Sequence, residues 1–280
     1  MGKLYGLIGC PVGHSMSPDI HNDAFSHLHL SAYYHAFHVE KEKLADAVSS
    51  LRTLGVLGFN VTVPHKVAIM PLLDEIDESA SRIGAVNTVK NKDGKLIGYN
   101  TDGIGYLTSL KRRIKKPLSE SKVLLIGAGG AARGIYFTLA KEGCLQIDIC
   151  NRTIEKAKDL ISECPIKVKG DAYSIHGAEN LIYDYDIIIQ TTSIGMHPNT
   201  SEKPIELTGA KKECLVSDII YNPIQTQLLK EAEAEGMQTL TGVGMFVHQA
   251  AHAFIIWTGI EPNVARMEKI VINKLGGTSC

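Results

Sequence analysis

A lysine and an aspartate, each placed at the end of a predicted strand, are the strongest candidates for proton chemistry in this chain. Lys66 follows the apolar stretch 57–61 and the break at Pro64, and Asp102 begins a helical pattern after the extended stretch 96–99. A nearby carboxylate raises a lysine pKa and burial lowers it, so such a pair can be tuned for proton transfer. Most lysines and aspartates are ordinary surface charges, so the pair needs support from its surroundings.

A glycine-rich turn between a strand and a helix supplies that support. The sequence GAGGAA at 127–132 directly follows the strand pattern 123–126 and leads into the helical pattern 131–142. This G-x-G-x-x-A spacing is typical of dinucleotide binding, because the glycines allow a tight turn and let the pyrophosphate approach the helix N-terminus. The predicted cofactor-binding residues of this turn are Gly127, Ala128, Gly129, Gly130 and Ala131.

The residues after the next strand pattern, 146–150, indicate which nucleotide is bound. NAD-binding proteins usually carry Asp or Glu here to accept from a ribose hydroxyl. This chain instead has Asn151, Arg152 and Thr153, with Lys156 one turn later. A guanidinium can hold a 2′-phosphate with two hydrogen bonds, whereas a carboxylate would repel it. We therefore predict NADP as the cofactor.

The order of the elements predicts an α/β protein of two domains. Strand and helix patterns alternate along most of the chain, which favours sheets with helices packed against them. We expect an amino-terminal α/β substrate-binding and catalytic domain at 1–103, a Rossmann-type NADP-binding domain at 104–240, and a cleft between them. The two helical patterns within 241–280 bring no strands, so we expect them to return to the amino-terminal domain.

Composition and charge exclude several function classes. The 280 residues are 44% hydrophobic, and 29 Lys and Arg nearly balance 30 Asp and Glu, so nucleic acid is not an expected partner. The longest apolar stretch, 250–257, is too short to span a membrane. The chain opens without a signal-peptide pattern and its six cysteines form no C-x-x-C pair, which predicts reduced thiols and a cytoplasmic location.

The histidines do not complete a metal site. His248 and His252 lie four residues apart on a helical pattern, a spacing that can grip zinc, but no third ligand is apparent nearby. We therefore predict no metal.

Two serines precede the first helical pattern. Ser17 stands before Pro18, which predicts Ser17 as the N-cap and Pro18 as the first helical residue. Hydroxyls at a helix N-terminus also suit a carboxylate ligand. Capping and carboxylate binding stay equal alternatives for Ser17, and a purely local role is favoured for Ser15.

Seven segments, in order along the chain, carry a family resemblance. They are GCPVGHSMSP at 9–18, GFNVTVPHK at 58–66, GAVNT at 84–88, GYNTDG at 98–103, NRT at 151–153, DIIYNP at 218–223 and GVGMFVHQ at 242–249. Together they resemble the shikimate dehydrogenases of the bacterial biosynthetic type, and they span nearly the whole chain. One departure is Cys10, which stands where asparagine is common.

The resemblance implies a function and a set of site residues. The implied reaction is the reversible NADPH-linked reduction of 3-dehydroshikimate to shikimate in aromatic amino acid (chorismate) biosynthesis, with Lys66 and Asp102 as catalytic residues. The implied substrate-binding residues are Ser15, Ser17, Thr62, Lys66, Asn87, Asp102, Tyr221 and Gln249. The further implied cofactor-binding residues are Asn151, Arg152, Thr153, Lys156, Ile219, Gly242, Met245 and Glu78. The sequence does not choose between a monomer and a homodimer.

The chemistry of this reaction gives Lys66 and Asp102 distinct roles. The ketone oxygen gains negative charge as hydride reaches the carbon, and a protonated Lys66 within reach would stabilise and protonate that oxygen. Asp102 would orient Lys66 or hold a ring hydroxyl. The sequence does not decide whether Lys66 is strictly the acid or mainly a binding group.

Three other functions are weighed against this one. Arg152 disfavours a quinate/shikimate dehydrogenase of broader specificity, which is often NAD-linked. The serine pair and the stretch 100–102 disfavour a methylenetetrahydrofolate dehydrogenase. A non-catalytic protein that senses a metabolite and a nucleotide would need a broken catalytic pair or an added effector domain, and the sequence displays neither.

Overall fold

Two six-stranded sheets, one in each of two units, organise the chain. The computed structural model describes residues 2–276. Packing contacts divide this part into unit 1, residues 2–101 and 249–274, and unit 2, residues 102–248 with 275–276. The sequence-based division placed its boundaries at 103 and 240. The five described cysteines are free, and Cys280 lies outside the described residues.

Unit 1 is built on a mixed sheet. Its elements before residue 101 are β1 (Lys3–Gly9), α1 (Ser17–His27), β2 (Ala32–His38), α2 (Leu44–Thr53), β3 (Gly58–Val61), β4 (Glu75–Ile76), α3 (Glu78–Ile83), β5 (Thr88–Lys92) and β6 (Lys95–Tyr99). The strand order is β2-β1-β3-β5-β6-β4. In this sheet only β5 runs antiparallel to its neighbours, β3 and β6. The strands β2, β1 and β3 are parallel, and helices connect them along the chain.

Unit 2 is built on a wholly parallel sheet. Its elements are α4 (Asp102–Lys111), β7 (Lys122–Ile126), α5 (Gly130–Lys141), β8 (Gln146–Cys150), α6 (Ile154–Glu163), β9 (Ala172–Tyr173), α7 (Ile175–Glu179), β10 (Ile187–Gln190), β11 (Leu215–Asp218), α8 (Gln227–Ala234) and β12 (Gln238–Leu240). The order β12-β11-β10-β7-β8-β9 is that of a doubly wound dinucleotide-binding sheet. This confirms the predicted Rossmann-type fold.

Two helices complete the described chain. They are α9 (Gly242–Thr258) and α10 (Val264–Lys274). The boundary between the units falls inside α9, so the second half of this helix and all of α10 belong to unit 1. Gly259 ends α9 with φ +73°, a left-handed conformation that glycine adopts without strain.

The sheet of unit 1 has a hydrophobic core on each face, and β1 contributes to both. Ile8 packs into a cluster with residues of α2 and β3 such as Phe59. Tyr5 packs into a second cluster with residues of α1 and α9, including Phe25 and Trp257. Because side chains alternate along a strand, one buried strand supplies both cores.

The longer helices and strands match the patterns in the sequence, whereas several short helices and strands were not predicted from it. The unpredicted elements are β4, α3, β5, β9, α7, α8 and β12. Each has eight residues or fewer, too few to display a clear hydrophobic period. The helix α9 begins at Gly242, earlier than the predicted Met245. The prediction began too late because Gly242 and Gly244 are poor helix formers and their presence argued against a helix.

Candidate functional site

The start of α1 brings two serine hydroxyls together. The Ser15 hydroxyl accepts a hydrogen bond from the Ser17 N–H at 3.2 Å and donates one to the Ser17 hydroxyl at 3.2 Å. Met16 is the N-cap, so the prediction that Ser17 is the N-cap is wrong; Ser17 is already helical, and Ser15 satisfies its N–H. Ser17 is buried and Ser15 half-buried, at a helix end that favours anions.

A buried amide network surrounds Asn87. The Asn87 carboxamide oxygen accepts from the Thr101 N–H at 2.8 Å, and its nitrogen donates to the Thr101 hydroxyl at 2.9 Å. The Thr88 hydroxyl donates to the same oxygen at 3.0 Å. On the next strand, the Asn60 side chain donates to Thr88 at 3.0 Å and to the Asn87 carbonyl at 3.2 Å. These bonds fix the segment that leads directly into Asp102.

Lys66 lies on a turn that begins where β3 ends. The buried His65 ring, through Nε2, makes a 2.7 Å hydrogen bond with the Val39 carbonyl. The Lys66 carbonyl accepts from the Val86 N–H at 2.8 Å, next to Asn87. Thr62 starts this turn, accepting from the His65 N–H at 2.9 Å. The backbone that carries Lys66 is therefore held on both sides.

Asp102 is the first residue of α4 and is buried, with 5% of its surface exposed. The next residue, Gly103, lies so close to α5 that a Cβ there would meet the Thr138 hydroxyl at 2.0 Å and the Gly134 carbonyl at 2.4 Å. Only glycine allows this approach of α4 to the fingerprint helix. Within unit 2, the position of Asp102 is thus tied to α5.

The glycine turn has the form that a dinucleotide requires. Gly127 has φ +107°, and a Cβ there would lie 2.7 Å from the Thr191 hydroxyl oxygen, so a larger residue would be both strained and crowded. Gly129, the N-cap of α5, has no atom within 4 Å of where its Cβ would stand. The first turn of α5 contains no acidic residue. Open space before a helix N-terminus fits a pyrophosphate.

Arg152 and Lys156 provide exposed positive charge beyond β8. Neither forms an ion pair with any residue between 2 and 276. The turn itself is ordered, because the Asn151 side chain donates to the Thr153 carbonyl at 2.8 Å and the Asn151 N–H donates to the Tyr173 carbonyl at 3.1 Å. A 2′-phosphate would find cations here and no carboxylate at the strand end.

The end of β11 and the start of α9 approach each other closely. A Cβ on Gly242 would lie 2.2 Å from the Ile219 carbonyl oxygen, and the Gly242 N–H donates to the Ile220 carbonyl at 3.1 Å. The Tyr221 ring stacks on Phe246 with centroids 4.3 Å apart. Gly242 is therefore required by packing around the Ile219 backbone.

Asp218, just before Ile219, is a buried acid with an altered pKa. Burial raises the pKa of its carboxyl to about 7, and hydrogen bonds from the Ile220 N–H at 2.9 Å and the Thr226 hydroxyl at 2.8 Å oppose that rise. Only 1% of Asp218 is exposed. The sequence analysis noted this residue only as part of a family segment.

The predicted site residues divide between the units. Those in unit 1 are Ser15, Ser17, Thr62, Lys66, Glu78, Asn87 and Gln249. Those in unit 2 are Asp102, Gly127, Ala128, Gly129, Gly130, Ala131, Asn151, Arg152, Thr153, Lys156, Ile219, Tyr221, Gly242 and Met245. Glu78, predicted to bind cofactor, is in unit 1 and pairs with Arg82. Tyr221, predicted to bind substrate, is in the unit that carries the glycine turn.

Several neighbours of these residues were missed. Tyr34 and Asn60 support the Asn87 network, and Thr191 lies against Gly127 at the end of β10. For Thr191 a signal existed, since loops after parallel strands line the ligand-binding edge of such sheets. For Tyr34 the sequence gave none, because it sits in an ordinary strand pattern.

Residues 2–276 offer neither a metal site nor a membrane-spanning helix. They contain no group of three His, Cys, Asp or Glu side chains placed to hold a metal ion. None of their helices combines the length and apolarity needed to cross a membrane.

Family models and relatives identify the chain. Three models match in succession: a shikimate dehydrogenase substrate-binding domain at 7–89, a shikimate/quinate 5-dehydrogenase at 109–230 and a shikimate 5′-dehydrogenase C-terminal domain at 242–272. The shikimate dehydrogenase (NADP(+)) of Geobacillus sp. strain WCH70 is 58% identical over 277 residues, covering 99% of this chain and all of that one. The chain belongs to the shikimate dehydrogenase family.

Solved structures agree with this membership in the shikimate dehydrogenase family. A crystal structure of a shikimate dehydrogenase in complex with NADP+ is 44% identical, covers 98% of this chain and 96% of its own, and has a TM-score of 0.91. The Listeria monocytogenes shikimate 5-dehydrogenase, in complex with shikimate and NAD, is 37% identical over 96% of both chains, with a TM-score of 0.89. The predicted family resemblance is confirmed, and so is the prediction that the chain is an oxidoreductase.

Proposed function

We propose that this chain catalyses the reversible NADP-linked interconversion of shikimate and 3-dehydroshikimate in aromatic amino acid biosynthesis. The observation that carries the proposal is the start of α1, where two neighbouring hydroxyls at a helix N-terminus suit a carboxylate. Shikimate, which the names of the relatives specify, is a carboxylic acid. We assign the carboxylate to Ser15 and Ser17, and the ring hydroxyls to Thr62, Asn87 and Gln249.

NADP fits the residues of unit 2. The open turn at Gly129 and the N-terminus of α5 would receive the pyrophosphate, and Arg152 with Lys156 would bind the 2′-phosphate. The close approach of Gly242 to Ile219 shapes backbone that we also assign to cofactor binding, with Met245 on the same helix. When bound, NADP supplies the hydride acceptor of the reaction.

Lys66 is proposed to move the proton. In the reducing direction its ammonium group stabilises the oxygen that gains charge and then protonates it; in the oxidising direction it accepts the hydroxyl proton. The turn that carries Lys66 is anchored through His65 and Val86, which fixes the backbone from which the Lys66 side chain extends. Asp102 is proposed to bind a ring hydroxyl or to orient Lys66.

We further propose a cytoplasmic enzyme, monomeric or homodimeric, without nucleic-acid or membrane partners. The near-neutral charge supports the absence of a nucleic-acid partner. The name of the Geobacillus relative specifies a small-molecule substrate, which agrees with the proposal of a small-molecule enzyme.

Substitution of Lys66 tests the proposed mechanism. Lys66→Ala should lower kcat by about 100- to 10,000-fold, the usual contribution of a positioned acid–base group, and change shikimate affinity far less. Lys92→Ala, an exposed lysine at the end of β5, is the matched control and should behave as wild type. A kcat for Lys66→Ala within a few-fold of wild type would show that Lys66 is not the proton-transfer group.

A further inference from the structure

Tyr34 is completely buried, yet its hydroxyl joins the network around Asn87, which we assign to the substrate. It donates a 2.8 Å hydrogen bond to the Asn60 carboxamide oxygen. The phenol keeps its proton, because burial raises the pKa of Tyr34 well above its usual value; the nearby Ser17 hydroxyl opposes that rise. One phenol thus lies between the helix that begins at Ser17 and the strand that carries Asn60.

The backbone and the ring of Tyr34 are held by α1. Its backbone N–H donates to the Asn22 side-chain oxygen at 2.7 Å, and its carbonyl accepts from the Asn22 nitrogen at 2.9 Å. Its ring stacks on His21 with centroids 4.5 Å apart. His21 is fully buried, burial lowers its pKa to about 3, and neither ring nitrogen has a hydrogen-bond partner, so it serves as a neutral aromatic surface. The phenol can therefore shift little.

The hydrogen bonds of the network have a defined direction. The Asn60 nitrogen already donates to Thr88 and to the Asn87 carbonyl, so its oxygen must receive the phenol proton. The phenol, Asn60 and Asn87 are thus joined by hydrogen bonds of fixed direction. The serine pair, in which the Ser17 oxygen accepts from Ser15, lies beside the phenol end of this network.

We infer that Tyr34 is a positioning residue for substrate, one that fixes Ser17 and the Asn87 network relative to each other before shikimate binds. A hydroxyl can turn its proton toward a carboxylate without moving its oxygen, so the held oxygens form a preorganised site. Tyr34 itself is enclosed within the core and does not touch the ligand. This inference rests on the proposed function, in which Ser15 and Ser17 bind the carboxylate.

Tyr34→Phe removes the hydroxyl and keeps the ring. The Asn60 oxygen loses its donor and the Ser17 hydroxyl loses its polar neighbour, so both must be ordered again when substrate binds. We expect the KM for shikimate to rise about 5- to 30-fold, with kcat and the KM for NADP within about threefold of wild type. A purely structural role would lower the melting temperature and leave the KM for shikimate unchanged.

Tyr5→Phe is the matched control. Tyr5 is buried in the same sheet, lies opposite Tyr34 in the strand register, and packs its ring on Phe25 and Trp257. It should leave all three kinetic constants near their wild-type values. The coupling to Ser17 is tested by adding Tyr34→Phe to Ser17→Ala, where the rise in KM caused by Tyr34→Phe should be smaller than in wild type.

The possible outcomes distinguish a failure of the positioning role of Tyr34 from a failure of the proposed carboxylate site. If Ser17→Ala raises the KM for shikimate and Tyr34→Phe does not, the positioning role of Tyr34 is wrong and the carboxylate assignment stands. The same rise for Tyr34→Phe with and without Ser17 would also overturn the inference. If neither Ser15→Ala nor Ser17→Ala changes this KM, the proposed carboxylate site fails, and the role of Tyr34 fails with it.

Discussion

The buried carboxyl of Asp218 should make unit 2 less stable as the pH rises. Its pKa is about 7 in the folded protein, against an ordinary value of 3.8 that applies to the unfolded chain. Between these two values the folded state binds more protons than the unfolded state, so the free energy of unfolding falls with rising pH. Above pH 7 the charge is buried in full, with two hydrogen bonds as partial compensation.

The size of the effect follows from the same two pKa values. Linkage gives a loss of roughly 2–3 kcal/mol from this group between pH 5 and pH 8. Asp218→Asn should remove that loss, because the amide oxygen can still accept from the Ile220 N–H and the amide nitrogen can donate to the Thr226 oxygen. The melting temperature of the variant relative to wild type should therefore rise by about 5 °C from pH 5 to pH 8.

The assay is thermal unfolding of both proteins across pH 5 to 8. Asp159→Asn serves as the control, since Asp159 is an exposed carboxyl on α6 in the same unit, and its curve should run parallel to that of wild type. Parallel curves for Asp218→Asn and wild type would refute the reasoning and show that Asp218 is already ionised throughout this range.

Two further substitutions test the binding assignments. Arg152→Ala should lower kcat/KM with NADP by about 10- to 150-fold, because a charged hydrogen bond to the 2′-phosphate is lost. The weaker activity with NAD should not change. Equal losses with both cofactors would mean that Arg152 supports the fold instead. Ser15→Ala should raise the KM for shikimate at least about tenfold at constant KM for NADP. Because the Ser15 hydroxyl also accepts from the Ser17 N–H, the melting temperature of the variant must be measured. An unchanged KM for shikimate in a normally stable variant would exclude the carboxylate role.

The nucleotide-binding half of the fold was readable from the sequence because its signals are local. A strand, the glycine turn and the helix that follows it stand next to one another in the chain, and Gly127 has a steric requirement in the structure. Arg152 could be singled out for the same reason, since its distance from Gly127 along the chain is set by one strand–helix–strand unit.

The hairpin of β5 and β6 had a signal that the sequence analysis overlooked. Asp93 and Gly94 join the two strands with φ +53° and +88°, the two-residue turn that Asp-Gly favours. Because β5 is short and partly polar, its pattern alone does not indicate a strand. Reading the turn first would have predicted it.

The supporting network of the serine pair was not predictable from sequence. Tyr34, Asn60 and Asn87 are far apart along the chain, and each looks like an ordinary strand or loop residue. Their roles depend on burial and on which side chain lies opposite which in the sheet. The prediction of the N-cap of α1 was wrong for a related reason, because the sequence does not show which of two nearby hydroxyls satisfies a backbone N–H.

The central claim is tested most directly by initial rates of the wild-type enzyme with shikimate or quinate as substrate and NADP or NAD as acceptor. At fixed salt and pH, the account predicts the highest kcat/KM for shikimate with NADP, at least about tenfold above shikimate with NAD. Shikimate that binds without turnover with either cofactor would contradict the claim and indicate a sensing protein. Equal or better rates with quinate and NAD would instead indicate a quinate dehydrogenase.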